Sequence, residues 1–175
     1  GAESPEDYGS YFAWGETEVK DDYAPFGYKF RTGTGMTLTK YCTENYYGNV
    51  DNKTVLDPVD DAATASWGND WRMPTLDEMK ELINECTWSW TTQNGVNGYV
   101  VTGPNGNSIF LPAAGHRDRM SKEISGHGWS GDYWSATLGE DNSWNACWLS
   151  FSDGTKPGCN THARYNGFSV RPVKE

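Results

Sequence analysis

The chain has 175 residues, which suits one domain (residues 1–175) with one core that needs neither metal nor disulfide merely to fold. Its 24 acidic against 14 basic residues give a net charge of −10, a field that repels phosphate backbones and anionic bilayers and so argues against nucleic acid as a partner. It contains no apolar run of roughly 18 residues, so no membrane-spanning helix is expected.

Gly1 and the polar stretch after it predict a start that follows a removed leader. Few lysines and much Asn, Thr, Ser, Gly and Trp predict an extracellular or cell-surface domain. Aromatic residues make up 14% of the chain although its mean hydropathy is −0.76. Tyr and Trp supply contact area at low entropic cost, as a recognition surface needs, and strands also prefer rings; composition allows both.

In the first third, Tyr11 to Gly15, Tyr28 to Phe30 and Met36 to Tyr41 read as short strands among loops, with an acidic, solvated loop from Glu16 to Ala24. A helix is predicted from Asp57 as N-cap and Pro58 as first residue to Gly68. A second follows from the capping box of Thr75 and Glu78, with Leu76, Met79, Leu82, Ile83 and Cys86 on one face.

From Thr87 the period changes to two. Strands are expected at Trp88 to Thr92, Tyr99 to Thr102 and Ser108 to Leu111, with Asn94-Gly95, Asn97-Gly98 and Pro104-Asn105-Gly106 as turns. This is a three-stranded meander. A Gly- and Ser-rich loop leads to further strands at Asp132 to Thr137, Ala146 to Ser152 and Gly167 to Pro172, with Ser152-Asp153-Gly154 as a turn. Two short helices packed on small antiparallel sheets with long loops make an α+β domain.

Cys42, Cys86, Cys147 and Cys159 lack C-x-x-C or His at ligand spacing, which excludes a zinc site. A Cys147–Cys159 bridge across a hairpin and free thiols both fit the spacing. Asp51, Asp57, Asp60 and Asp61 offer oxygen ligands for a cation, but a solvated helix start explains them better, and no metal is expected. The basic patch His116-Arg117-Asp118-Arg119 reads as a surface ion-pair cluster that could flank a ligand.

Trp71-Arg72-Met73-Pro74-Thr75, then Ile109-Phe110-Leu111-Pro112-Ala113-Ala114-Gly115, Tyr133-Trp134-Ser135-Ala136-Thr137 and Gly167-Phe168-Ser169-Val170-Arg171-Pro172-Val173 closely resemble the Fibrobacter succinogenes major paralogous domain family. The match runs through nearly the whole chain in the right order. It implies a C-type-lectin-like fold of the formylglycine-generating-enzyme type. It also implies kinship with gut Bacteroidetes surface lipoproteins, some of them variable proteins of diversity-generating retroelements whose C-terminal segment is rewritten at adenines. Rewriting the adenines of an asparagine codon reaches neither Trp, Lys nor Glu, so Trp144, Trp148, Lys156 and Glu140 stand outside that scheme.

Within residues 131–173, framework islands alternate with polar and aromatic residues that no core requires. The expected contacts are Trp144, Trp148, Lys156, His162, Tyr165 and Phe168 as anchors, with Asn145, Asn160 and Asn166 as adaptable hydrogen-bonding groups. Trp134 is assigned to the core. The expected function is a monomeric, surface-displayed recognition domain for a protein or glycan ligand, without cofactor or catalytic residues. The alternatives are an oxidoreductase resembling the formylglycine generators, with Cys147 and Cys159 as its thiols and His162 as base, and a structural module without a ligand.

Overall fold

Both helices form near their local signals, one with a different cap. In the computed structural model, which describes residues 2–33, 36–118 and 123–174, helix α1 spans Ala62–Trp67 and stops at Gly68, whose φ is 89°. Its N-cap is Asp61. The expected start at Asp57 instead opens a separate 3-10 turn, Pro58–Asp60. Competition for carboxylates explains the difference. Asp57 is engaged by Lys40 and Lys53, each at 2.6 Å. Asp61 accepts the N–H groups of Ala63 and Thr64 at 2.8 and 3.1 Å, and its second oxygen takes the N–H of Met73 at 2.8 Å. One buried carboxylate thereby caps α1 and pins the chain that follows.

Helix α2, Leu76–Glu85, carries the predicted capping box. Glu78 also receives the Arg72 guanidinium through two 2.7 Å hydrogen bonds, which hold its pKa down to about 2. Met79 is buried, and Leu82, Ile83 and Cys86 pack half-buried beside it.

The strands are β1 (Tyr11–Phe12), β2 (Arg31–Thr32), β3 (Thr37–Leu38), β4 (Trp71–Arg72), β5 (Thr87–Gln93), β6 (Val96–Thr102), β7 (Ser108–Pro112), β8 (Ser130–Leu138), β9 (Asn145–Ser152), β10 (Gly158–Ala163), β11 (Phe168–Ser169) and β12 (Val173–Lys174). The predicted meander is β5-β6-β7. A five-stranded sheet runs β1-β11-β8-β9-β10, and β12-β4 and β2-β3 are two-stranded ribbons. All pairs are antiparallel except β11 beside β8.

Asn94-Gly95 makes the expected tight hairpin, with both residues at positive φ. Asn97-Gly98 is no turn. It lies inside β6, opposite Thr92 and Thr91, where a Cβ at position 98 would collide with the Leu111 carbonyl. That glycine serves close strand approach rather than chain reversal. The strands expected in the first third shrink to two-residue pairs or move. Tyr28 and Phe30 are core residues preceding β2, because the Tyr28 hydroxyl is drawn in to donate to the Trp14 carbonyl at 2.7 Å. Of the strand expected over 167–172 only β11 forms; β12 begins after Pro172, which has no N–H to donate. β10 was not expected.

The larger of two core clusters surrounds Arg164, a fully buried residue just past β10. Its Nε donates to the Tyr28 hydroxyl at 2.8 Å, Nη1 to the carbonyls of Tyr41 and Ser143 at 2.8 and 2.7 Å, and Nη2 to that of Lys40 at 3.2 Å. The rings of Trp14, Tyr28, Phe30 and Tyr41 lie within 4.9–5.9 Å of the guanidinium carbon. Replacing it orphans these acceptors in a dry site. Arg164→Met is expected to cost roughly 3–5 kcal/mol, and Arg164→Lys, which keeps the charge but not the planar fork, should recover less than half of that. Urea denaturation measures both; a loss below about 1 kcal/mol for Arg164→Met would show that the cation is dispensable.

Candidate functional site

Side chains alternate between the faces of the five-stranded sheet, so its register decides which residues meet. On β8, β9 and β10, Asp132 stands opposite Ser150 and that opposite Gly158; Trp134, Trp148 and Asn160 form the next row, and Ala146 and His162 a third. These residues share one face. Tyr133, Cys147, Leu149, Phe151 and Cys159 occupy the other, under α2 and the meander. The Phe151 ring lies so close over Gly131 that a Cβ there would collide with it.

On the first face, Phe168 is fully buried and stacks on Trp134 with ring centroids 4.2 Å apart. Trp148 leans on Phe168 at 4.8 Å, and His162 lies 5.5 Å from Trp148 and 5.3 Å from Phe168. His116, from the loop before β8, also packs on Phe168 at 5.5 Å and lies 6.5 Å from His162. The floor is therefore aromatic and rigid. Above it stand half-buried Trp148 and His162, half-buried Ser150 and exposed Asn160.

Polar groups orient this floor. The His116 Nδ1–H donates to the buried Asp132 carboxylate at 2.8 Å, leaving Nε2 3.8 Å from Asp118. The Asn166 amide donates to His162 Nδ1 at 2.8 Å, which leaves the Nε2–H of His162 as a donor. The Trp148 indole N–H is buried without an acceptor among the described residues.

The sequence-predicted contacts thus divide. Trp148, Asn160 and His162 lie together on the face, and Asn145 starts β9 at its edge opposite Ala163. Tyr165 is half-buried against the main core. Phe168 and Asn166 support the face from beneath and do not present themselves to solvent. Trp144 is likewise buried, its indole donating to the Met36 carbonyl at 3.0 Å; its place in sequence beside Trp148 had left the two equivalent, but the β9 strand only starts at Asn145, so strand alternation does not apply to it. Lys156 is exposed in the β9–β10 loop, beside Trp88 and Tyr99 and away from the other candidates.

His116 and Asp132 were not expected as a pair. A bridge between Gly115 and Gly131 brings their segments together, and nothing in the local sequence marks it. His116 belongs to the predicted basic patch, of which Arg119 lies outside the described residues. The four aspartates considered as cation ligands are each engaged by donors: Asp51 by the Tyr41 and Cys42 N–H groups, Asp57 and Asp60 by lysines, and Asp61 by backbone N–H groups. No group of three or more His, Cys, Asp or Glu among the described residues is placed to hold a metal ion.

The cysteines are free thiols. Cys147 and Cys159 face α2, whereas His162 projects from the opposite side of β10, so the imidazole proposed as their base is screened from them by the sheet. Burial raises both thiols, that of Cys147 to about 11, which suppresses the nucleophilic thiolate. Compared with family models, curated proteins and solved structures, the chain matches none.

The two imidazoles are tuned oppositely. The hydrogen bond that His116 donates to Asp132 raises His116, and burial followed by the nearby His116 charge lowers His162. The unfolded chain titrates both near 6.5. Below that value it takes up a proton that folded His162 resists, so stability falls with acid; above it, the proton held by His116 against Asp132 is lost and its contribution fades. Denaturation midpoints between about pH 5 and 8 should show His162→Gln flattening the acid limb and His116→Gln the alkaline limb relative to the parent. Identical profiles in all three proteins would refute the assignment.

Proposed function

We propose that this is a ligand-recognition domain of C-type-lectin-like fold, displayed outside the cell, that binds a protein or glycan where Trp148, Ser150, Asn160 and His162 reach solvent on β9 and β10. The observation that carries the reading is the combination on that face of the half-buried Trp148 ring, the His162 Nε2–H donor and the exposed Asn160 amide above a rigid aromatic floor. Such groups on a sheet whose other face is already buried allow side chains to change without loss of the fold. The face offers adaptable polar contacts around one large aromatic anchor, the arrangement used by recognition surfaces. No helix among the described residues is long and apolar enough to cross a membrane; a surface domain of this kind would reach the membrane as a lipoprotein, through a lipid anchor.

Diversification of residues 131–173 by a retroelement is part of the same proposal. It predicts a reverse-transcriptase gene beside this one with a near-copy of the 3′ coding segment differing at adenines, and sequencing that locus tests it directly.

Binding is tested on arrays of glycans and of immobilised extracellular proteins, followed by interferometry on each hit. Asn160→Ala and Trp148→Ala should each weaken a true ligand, the second by about 2 kcal/mol or roughly thirtyfold. Because Trp148 also packs on Phe168, its truncation should lower the Tm by several degrees, whereas Asn160→Ala should leave it unchanged. Hits indifferent to both substitutions would sink this reading of the face.

A further inference from the structure

We propose that the cleft behind the β9–β10 loop binds a small organic monoanion, a carboxylate carried on an aromatic or aliphatic body. The cleft encloses about 440 Å³ between the end of α2, the start of β5, Tyr99 of β6 and residues 154–157 of the loop. That volume lies within the ~300–1,000 Å³ typical of small-molecule sites. None of its lining residues belongs to the recognition face on β9 and β10.

The walls are apolar and fixed. Ile83, Cys86 and Trp88 line them, each half-buried, so each keeps part of its surface open to the cleft. Trp88 meets Tyr99 edge-on with ring centroids 5.5 Å apart, and its indole N–H donates to the Leu82 carbonyl at 3.0 Å, which locks the ring between α2 and the meander. The Tyr99 hydroxyl donates to the Thr155 carbonyl at 3.1 Å and ties the loop to the wall. Within the loop, Thr155 Oγ1 accepts the Ser152 N–H at 3.0 Å. A ligand therefore meets a surface that needs little ordering on binding.

These bonds also select the ligand. The polar side-chain atoms of Trp88, Tyr99 and Thr155 are engaged by the protein itself, and no carboxylate lines the cleft. Apart from the weakly polar Cys86 thiol, the lining side chains leave only the ammonium group of Lys156. Lys20, Lys29, Lys40, Lys53 and Lys80 each hold a carboxylate. Lys156 is exposed and has neither ion pair nor hydrogen bond among the described residues. One unpaired cation beside an apolar wall complements one anionic group on an apolar body. A sugar would leave most of its hydroxyls without partners there, and a polyanion would meet a single cation on a chain of net charge −10.

Calorimetry with 3-phenylpropionate, its uncharged amide and the cationic 3-phenylpropylamine tests the site on the full chain. The acid should bind with a Kd of about 1 mM or tighter, the amide about tenfold or more weaker, and the amine more weakly still. Lys156→Gln should remove the preference for acid over amide, Lys156→Arg should keep it, and Lys156→Glu should abolish binding of the acid. The side chain is exposed, so these variants should fold like the parent, which circular dichroism checks. In NMR spectra of the indole N–H groups, the acid should shift the Trp88 signal, assigned through Trp88→Phe, and leave that of Trp148 in place. The proposal is overturned if the acid fails to bind, if the amide binds as tightly, if the acid still binds Lys156→Glu, or if the Trp88 signal does not respond.

Discussion

A single buried cation organises the larger core. Arg164 is surrounded by aromatic rings and satisfied by neutral oxygens from three separate stretches of chain, at Tyr28, at Lys40 and Tyr41, and at Ser143. Its own backbone joins the same assembly: its carbonyl accepts the Trp14 N–H at 2.8 Å, and its N–H donates to the Trp144 carbonyl at 3.0 Å. Arginine suits this position because its charge is delocalised, weakly hydrated and spread over a planar fork of donors. The ring faces offset part of its desolvation, by about 2 kcal/mol where a cation–aromatic contact is dry. Loops with little regular structure are thereby held by one residue that needs all of them at once.

The second constraint is the sidedness of the five-stranded sheet. A register slip of one residue would exchange Tyr133, Leu149 and Phe151 for Trp134, Trp148 and Asn160 beneath α2. The stacked Tyr133–Phe151 pair and the edge contacts of Trp88, Trp90 and Tyr99 lock one face to the meander. That leaves the other face to be shaped by the loop that carries His116 and by Phe168 of β11. Much of the aromatic content therefore packs, and a small remainder stands at the surface. The same division separates the thiols from the imidazoles, with Cys147 and Cys159 on the side that faces α2 and His162 on the other.

The acidic excess is also partly internal. Asp60 is buried and receives Lys29, Lys40 and the Tyr41 hydroxyl, while Asp61 caps α1 and holds Met73. Tyr41 links this network to the arginine, since its hydroxyl meets Asp60 and its carbonyl meets Arg164. Charges of both signs are thus built into the interior through donors and acceptors that leave them paired or hydrogen-bonded, the condition under which burial of charge is tolerated.

Local signals determined the parts that depend on neighbours in the chain. The capping box at Thr75, the stop at Gly68, the Asn94-Gly95 hairpin, the meander and the cores of β8 and β9 were legible because each rests on spacing or φ preferences within a few residues. The identity of the α1 cap, the strand role of Asn97-Gly98, the existence of β10, the burial of Trp144, Asn166 and Phe168, and the pairing of His116 with Asp132 were not. Several were decided by a partner distant in sequence: Lys40 claiming Asp57, the β7 backbone pressing on Gly98, Trp134 covering Phe168, and the 115–131 bridge joining two segments. Of the candidate site, sequence identified Trp148, Asn160 and His162 as residues without an evident core role. Only the register of β9 against β10 placed them side by side, because alternation assigns a face and pairing assigns neighbours, and pairing is a property of two strands rather than one.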